Sequence, residues 1–449
     1  MNKVIFFLIL LIIFANCSFD NKTGIWKDDS VVKEEINKKV ETKKKKLKSV
    51  FSETQIFSEE KSVDINSNIQ IKSFYKNNDW LDHYFNLSNN VSNIFYENKG
   101  NIISKSPKLS RSLISSSFLF YKNSIISYDN KGTIYIYSIP QRTKIFEYNF
   151  YKRQFKKYKK EIFLTIENNS IIASDNLGYV YSIDINSGKL KWAKNFGIPF
   201  RSNIKSLDGQ VFLANQDNII YSIRESDGEK NWQFSTTETF IKNEFKNSIA
   251  IDKKKNSIYF FNTSGEIYSI NYINKKINWV LNLRNTSASD STELFSSLPL
   301  VIDENNILVV NNNLLQNYES FTGSKKWSYP YGASLKPVLN SNYAFIFNKN
   351  NLLICLDLNT GAIIWSRKIY KQIQTVKSKK IGIIQNITIA NGRILLLSSN
   401  GYLLSFNYKN GDLISVKRIT KSFLEKGNSI FVNGYMYTFD KNYKLHQID

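Results

Sequence analysis

The sequence has 449 residues, 42% of them hydrophobic, with 31 Phe, 26 Tyr and 7 Trp. That is too apolar for a disordered chain and too long for one growing core, which leaves several domains or one repetitive architecture. Two Cys and two His leave no disulfide framework, no Cys-x-x-Cys redox pair and no zinc cluster, and the formal net charge of +23 comes from lysines spread along the chain, a basic surface bias rather than a compact nucleic-acid reader.

In chain order, Met1, Asn2 and Lys3 precede an unbroken apolar run from Val4 to Phe14, followed by Ala15, Asn16 and Cys17. Eleven apolar residues are too few to span a bilayer as a helix, which needs about twenty, so residues 1–16 read as a secretory signal. With Cys17 directly after it, the segment resembles a bacterial lipoprotein signal, which implies that Cys17 is acylated and anchors the mature chain. Residues 17–75 are rich in Lys, Glu and Ser, include the run Lys43 to Lys46 and lack sustained apolar periodicity, which predicts a polar tether. Trp26 lies within it without an evident role. Lys152 to Lys160, interleaved with Tyr151, Phe155 and Tyr158, is a pattern that could stack bases, but an extracytoplasmic location argues against nucleic acid.

Beyond residue 118 one phrase recurs. Its clearest copy is Gly178-Tyr-Val-Tyr-Ser-Ile-Asp184, then Gly188 and Trp192, so that Gly stands ten and Trp fourteen positions after the start. Starts at Asn218, Gly265, Asn313 and Asn351 reach Trp232, Trp279, Trp327 and Trp365 at the same spacing. Gly132 leads instead to Phe146, Gly401 to Ser415, and a last copy begins at Tyr443. The eight starts lie 38 to 50 residues apart, a period that marks a propeller when each unit holds several short strands. Turn signals at Asn186, Ser226-Asp-Gly, Asn359-Thr-Gly and Lys409-Asn-Gly separate the strands, and Arg393 to Ser398 and Asn306 to Val310 are apolar on both faces, as stacked sheets require. The prediction is an all-β, eight-bladed β-propeller over residues 76–449, with four-stranded antiparallel blades. The eighth unit lacks its outer strand, and the segment around Trp80 is expected to supply it and close the ring.

The phrase at 178–192 resembles the repeat of pyrroloquinoline-quinone-type propellers. Together with the signal, the tether and the eight units, it resembles the BamB family of propeller lipoproteins of the bacterial outer-membrane β-barrel assembly machinery. That resemblance implies a non-catalytic scaffold without cofactor at the periplasmic face of the outer membrane. It also implies a lipid anchor at Cys17 and, as partners, the periplasmic domains of a BamA-like barrel protein and nascent outer-membrane proteins. The contact segments it implies here are residues 233–247 and 285–299, where Phe240, Ile241, Lys242, Glu293 and Leu294 are the candidate partner-binding residues. Phe240 and Ile241 could equally begin the next blade's inner strand. Trp80, Trp192, Trp232, Trp279, Trp327 and Trp365 are the structural residues of the repeat.

The competing class is a quinoprotein dehydrogenase. Such enzymes carry an adjacent cysteine pair, and none exists here; Cys355 stands alone in an apolar strand and reads as a buried structural thiol. His83 and His446 have no nucleophile phrase beside them, and Gly323-Ser-Lys is a hairpin turn rather than a phosphate loop.

Overall fold

The structure, a computed structural model, describes residues 17–19, 26–28, 58–63, 68–151, 155–239, 245–284, 295–311 and 314–449. The chain divides into two units, Met1–Ser58 and Glu59–Asp449. In the first, strands Cys17–Phe19 and Trp26–Asp28 pair antiparallel, with Cys17 opposite Asp28.

The second unit is eight four-stranded antiparallel sheets. Seven of the sheets run from an inner strand outward in sequence order, and the eighth takes its outer strand from earlier in the chain. The inner strands are Leu119–Tyr121, Ile162–Glu167, Lys205–Leu207, Ser248–Asp252, Val301–Asp303, Val338–Asn340, Ile384–Ala390 and Ser429–Val432, and those of blades two through seven touch their neighbours in turn. The eight-bladed propeller expected from the repeat is thus the observed fold. Second and third strands are largely buried, completely so in Asn306–Asn311 and Thr133–Ser138, while outer strands such as Leu190–Asn195 alternate between exposed and half-buried.

The recurring phrase has a direct geometric cause. Each start falls at the head of a third strand, and the fourth position after it pairs with the fourteenth across the third hairpin: Ser182 with Trp192, Ser222 with Trp232, Ser269 with Trp279, Asn317 with Trp327 and Cys355 with Trp365. A small residue therefore sits opposite each indole, which accounts for Cys355, a free and fully buried thiol. Each indole then crosses to the next blade. Trp192, Trp279, Trp327 and Trp365 donate their Nε1–H groups to the carbonyls of Glu225, Ser320, Leu358 and Tyr408 at 2.8, 3.2, 2.8 and 3.1 Å. Each acceptor lies three residues before the hairpin glycine of its blade. At Gly361 (φ +74°) an added Cβ would stand 2.8 Å from the Trp327 ring, so both backbone conformation and space demand glycine. Phe146 packs on Gly188 in the same manner, which explains why Phe could replace Trp in the first unit.

Ring closure differs from the expectation in one respect. The outer strand of blade eight is Ile102–Lys108, which pairs with Lys444–Ile448 and places Lys105 opposite His446. Trp80 does not supply it. Trp80 is instead buried at the axis, exchanging backbone hydrogen bonds with Phe120 of the first inner strand at 2.7 and 3.0 Å.

The segment around Trp80 is a strap laid across one end of the channel, and it bonds to every blade in turn. The Leu81 carbonyl accepts from the Ile166 amide of blade two at 2.9 Å, Leu87 and Ser88 accept from Ile251 and Ile302 of blades four and five at 2.8 and 3.1 Å, and Ile94 donates to Ile389 of blade seven at 3.0 Å. Glu97 donates to Gly434 of blade eight at 2.9 Å. Asn side chains complete the circuit. Asn89 Nδ2 donates to both Ile249 and Leu300 at 3.0 Å, and Asn90 exchanges two bonds with Leu339 of blade six at 2.9 and 3.0 Å. An asparagine side chain carries the donor and acceptor of a peptide group, so it can pair with a strand backbone while its own chain runs across the strands. These contacts lie toward the ends of the inner strands from which the first hairpins turn. Upstream, Lys61 bridges Ser366 on the outer strand of blade six at 3.1 and 2.9 Å, and the Lys72 amide donates to Asn340 Oδ1 at 2.7 Å.

Candidate functional site

With four alternating strands per blade, all links from an outer strand to the next inner strand emerge at the end of the ring opposite the strap. The two links singled out by sequence flank blade four. Phe240, Ile241, Lys242, Glu293 and Leu294 lie outside the described residues. The bases of both links are described, and they adjoin. Phe245 closes the first and Phe295 the second; their ring centroids are 5.6 Å apart, and both stand against Phe261 of blade four, at 5.2 and 5.6 Å. Phe295 also lies on Gly265, where an added Cβ would meet its ring at 2.9 Å. Edge-on aromatic packing of this kind fixes where the two links leave the ring.

At the same end the channel opens as a funnel of 360 Å³. Its walls come from four links and the head of blade seven, among them Ser116, Pro299, Lys336, Asn386 and Asn428, and its floor is the strap, through Trp80, His83, Tyr84 and Val91. The composition of the floor was not legible in the sequence.

Around the floor most of the charges are arranged in pairs. Lys205, wholly buried on the third inner strand, donates to Asp82 of the strap at 2.9 Å and also to the Asn86 carbonyl. Burial works against charge on both partners, raising the Asp82 carboxyl and lowering the Lys205 ammonium, and each restrains the other's shift. Lys246, at the base of the link into blade four, pairs with Glu161 at the end of the link into blade two. Lys336 has no carboxylate within ion-pair distance among the described residues; its ammonium donates to the Asn89 carbonyl and stands 5.9 Å from the Tyr84 ring. Burial, reinforced by Lys205, pushes it down to about 7. His83 is held down to about 3 by burial and by Lys246, Lys205 and Lys336, so it is a neutral imidazole near neutral pH. His446, the other histidine, is buried in blade eight with Nε2 3.0 Å from Asp440 Oδ2 and takes the position that tyrosines hold in other blades, such as Tyr135 against Asp129. It belongs to the packing of the ring.

Among the described residues no group of three or more His, Cys, Asp or Glu is placed to hold a metal ion. The funnel instead offers two ammonium groups, Lys336 and Lys426, several amides and hydroxyls, and an aromatic floor.

A family model described as outer membrane protein assembly factor BamB matches residues 130–367 and 337–448, well over half of the chain. Curated proteins of that description are similar: that of Yersinia pestis is 20% identical over 308 residues, covering 63% of this chain and 72% of the relative, and that of Moranella endobia is 21% identical over 271 residues, covering 55% and 64%. In the second case the match spans a little under two thirds of the relative. Among solved structures, BamB from Moraxella catarrhalis superposes with a TM-score of 0.60 at 13% identity, over 78% of this chain and 99% of that one. A europium-containing methanol dehydrogenase also superposes at 0.60, with 10% identity over 80% and 89%. At such identities the superpositions show a shared fold.

Proposed function

The chain belongs to the family of outer membrane protein assembly factor BamB, and from that premise we propose that it is a non-catalytic scaffold of outer-membrane β-barrel assembly, binding a BamA-like partner through the two links that flank blade four. The observation that carries this reading is the shared aromatic base: Phe245, Phe261 and Phe295 hold two separate links side by side on a rigid ring, so a partner can engage both at little cost in ordering. Phe240, Ile241 and Lys242 on one link, and Glu293 and Leu294 on the other, are the proposed contacts. In the same reading Cys17 carries lipid, the polar segment after it tethers the body, and the protein works at the periplasmic face of the outer membrane. The methanol dehydrogenase likeness suggests a second reading, a quinone enzyme. The donor set in the funnel does not favour it: Lys336, Asn386, Asn428 and Ser116 provide no carboxylate cluster for a metal beside a quinone.

Capture of the protein from its own solubilised membranes tests the proposal. A BamA-like barrel protein is expected to come with it, and the double change Phe240→Ala and Leu294→Ala is expected to reduce recovery about tenfold, as loss of two apolar anchors would. Capture without any barrel-assembly protein, or bound quinone with dye-linked alcohol oxidation, would overturn it. For the anchor, Cys17→Ala is expected to release the body into the soluble fraction, and retention of that variant on membranes would refute lipid attachment.

A further inference from the structure

The lysines, spread evenly when read along the sequence, are gathered by the fold. Counted along the sequence, the eight links at the funnel end, from 109–118 through 419–428, hold eighteen Lys or Arg against six Asp or Glu. Among their described residues the numbers are fifteen against three. The first and third hairpins, at the opposite end, hold eight against six, and several of these charges are already paired across blades, as Lys253 is with Asp208 and Lys194 with Glu229. The second hairpins, which share the funnel end, hold three of each sign and leave the contrast intact. About half of the chain's excess positive charge is therefore concentrated around one mouth, and the strap closes the other.

We infer that the funnel end is a docking face for an acidic, extended protein segment, with a carboxylate of that segment entering the funnel to meet Lys336. This inference rests on the reading of the ring as a binding scaffold and adds the chemistry of what it binds. Three observations carry it. The charge is one-sided, so the field favours an anionic partner at this end. The site is concave, at 360 Å³, the size of a small ligand pocket, which suits one or two inserted side chains better than the flat surface of a bilayer. Of its two lysines, Lys336 and the exposed Lys426, Lys336 reaches the floor, where it donates to the Asn89 carbonyl, and the carboxylate near it, Asp82, is taken by Lys205. Asn428, whose Oδ1 accepts from Asn386 Nδ2 at 2.8 Å, and Ser116 stand on the same walls and supply neutral donors for the second carboxylate oxygen. An arriving carboxylate would also offset, by its opposite charge, the desolvation that lowers the Lys336 ammonium.

The test uses the full chain in detergent and a fluorescein-labelled decapeptide of glutamate and glycine, with a decapeptide of serine and glycine as the neutral probe and phosphatidylglycerol vesicles as the lipid probe. The acidic peptide is expected to bind at least about tenfold more tightly than the neutral one and to lose about tenfold between 50 and 300 mM salt. Lys336→Met is expected to weaken it about fivefold or more. Lys409→Ser, in a hairpin at the other end, is expected to leave it unchanged. Equal binding of acidic and neutral peptides, or equal effects of Lys336→Met and Lys409→Ser, would overturn the inference. Vesicle binding that the acidic peptide fails to displace would overturn it in favour of a lipid-facing surface. Because no assembly partner is present, failure here is distinct from failure to capture a BamA-like protein.

Discussion

At the scale of single residues, the axis is stabilised by groups that cannot be separated cheaply. Asp82 and Lys205 are both buried, and removing one leaves the other as an uncompensated charge, at a cost of about 3–5 kcal/mol. Asp82→Ala should therefore lower stability by roughly that amount in urea denaturation, and adding Lys205→Met should recover most of the loss. The indoles offer a finer comparison. Trp327 donates to Leu358, whereas Trp232 Nε1 is buried without a partner and the hairpin it faces carries Lys275 in place of glycine. Trp327→Phe should then cost about 1 kcal/mol more than Trp232→Phe, since only the first loses a hydrogen bond; equal midpoints for the two variants would contradict this. His83 gives a dependence on pH. Its folded value, about 3, lies below the ordinary 6.5, so the unfolded chain takes up the proton first. The stability it contributes is present above 6.5 and drains as pH falls toward 3. His83→Gln should accordingly lose less stability than the parent between pH 7 and pH 4.5, measured as the shift of the urea midpoint.

At the scale of elements, the strap and the closing strand belong together, because residues 76–108 run from one to the other. A chain beginning at residue 109 would leave the outer edge of Lys444–Ile448 unpaired and Lys205 without Asp82. Exposed strand edges recruit other strands, so this truncation should self-associate, detected as larger species in size-exclusion chromatography, while the parent elutes as a single species. What the sequence revealed and concealed divides along the same line. Third strands, hairpins and the tryptophan register were legible because each is local: the +4 and +14 positions pair across one hairpin, and the spacing cannot drift. The strap was illegible because it has no periodicity of its own. Its Asn89 and Asn90 satisfy backbone groups of blades four, five and six, and nothing in Asn-Leu-Ser-Asn-Asn-Val at 86–91 announces which. Trp80 was noticed as an indole outside the tandem copies, but its type suggested another blade position when its environment is the axis. The candidate contact residues were reached through family resemblance, and the aromatic base beneath their links became visible only when Phe245 and Phe295, fifty positions apart, met on blade four.

At the scale of the whole molecule, the same topology that stacks the blades sorts the chemistry between the two ends of the ring. Every link between blades must emerge at one end, so residues that look dispersed along the sequence become neighbours around a single mouth, and a net excess of lysine becomes a directional field. Linear composition contains the charge but not its address.

The pairing of Ile102–Lys108 with Lys444–Ile448 also bears on how the ring comes into being. Ser104 and Gln447 hydrogen bond across 343 positions of chain, and the strap just upstream of Ser104 needs partners from every blade before its hydrogen bonds are complete. The earliest portion of the ring to be synthesised must therefore wait, unpaired, for the latest. Long-range pairing of this kind makes for slow maturation, and in the interval the nascent molecule presents two open sheet edges. Escort by a chaperone would matter most in that window, and the rate of acquiring protease resistance should be set by this final joining rather than by formation of any single blade.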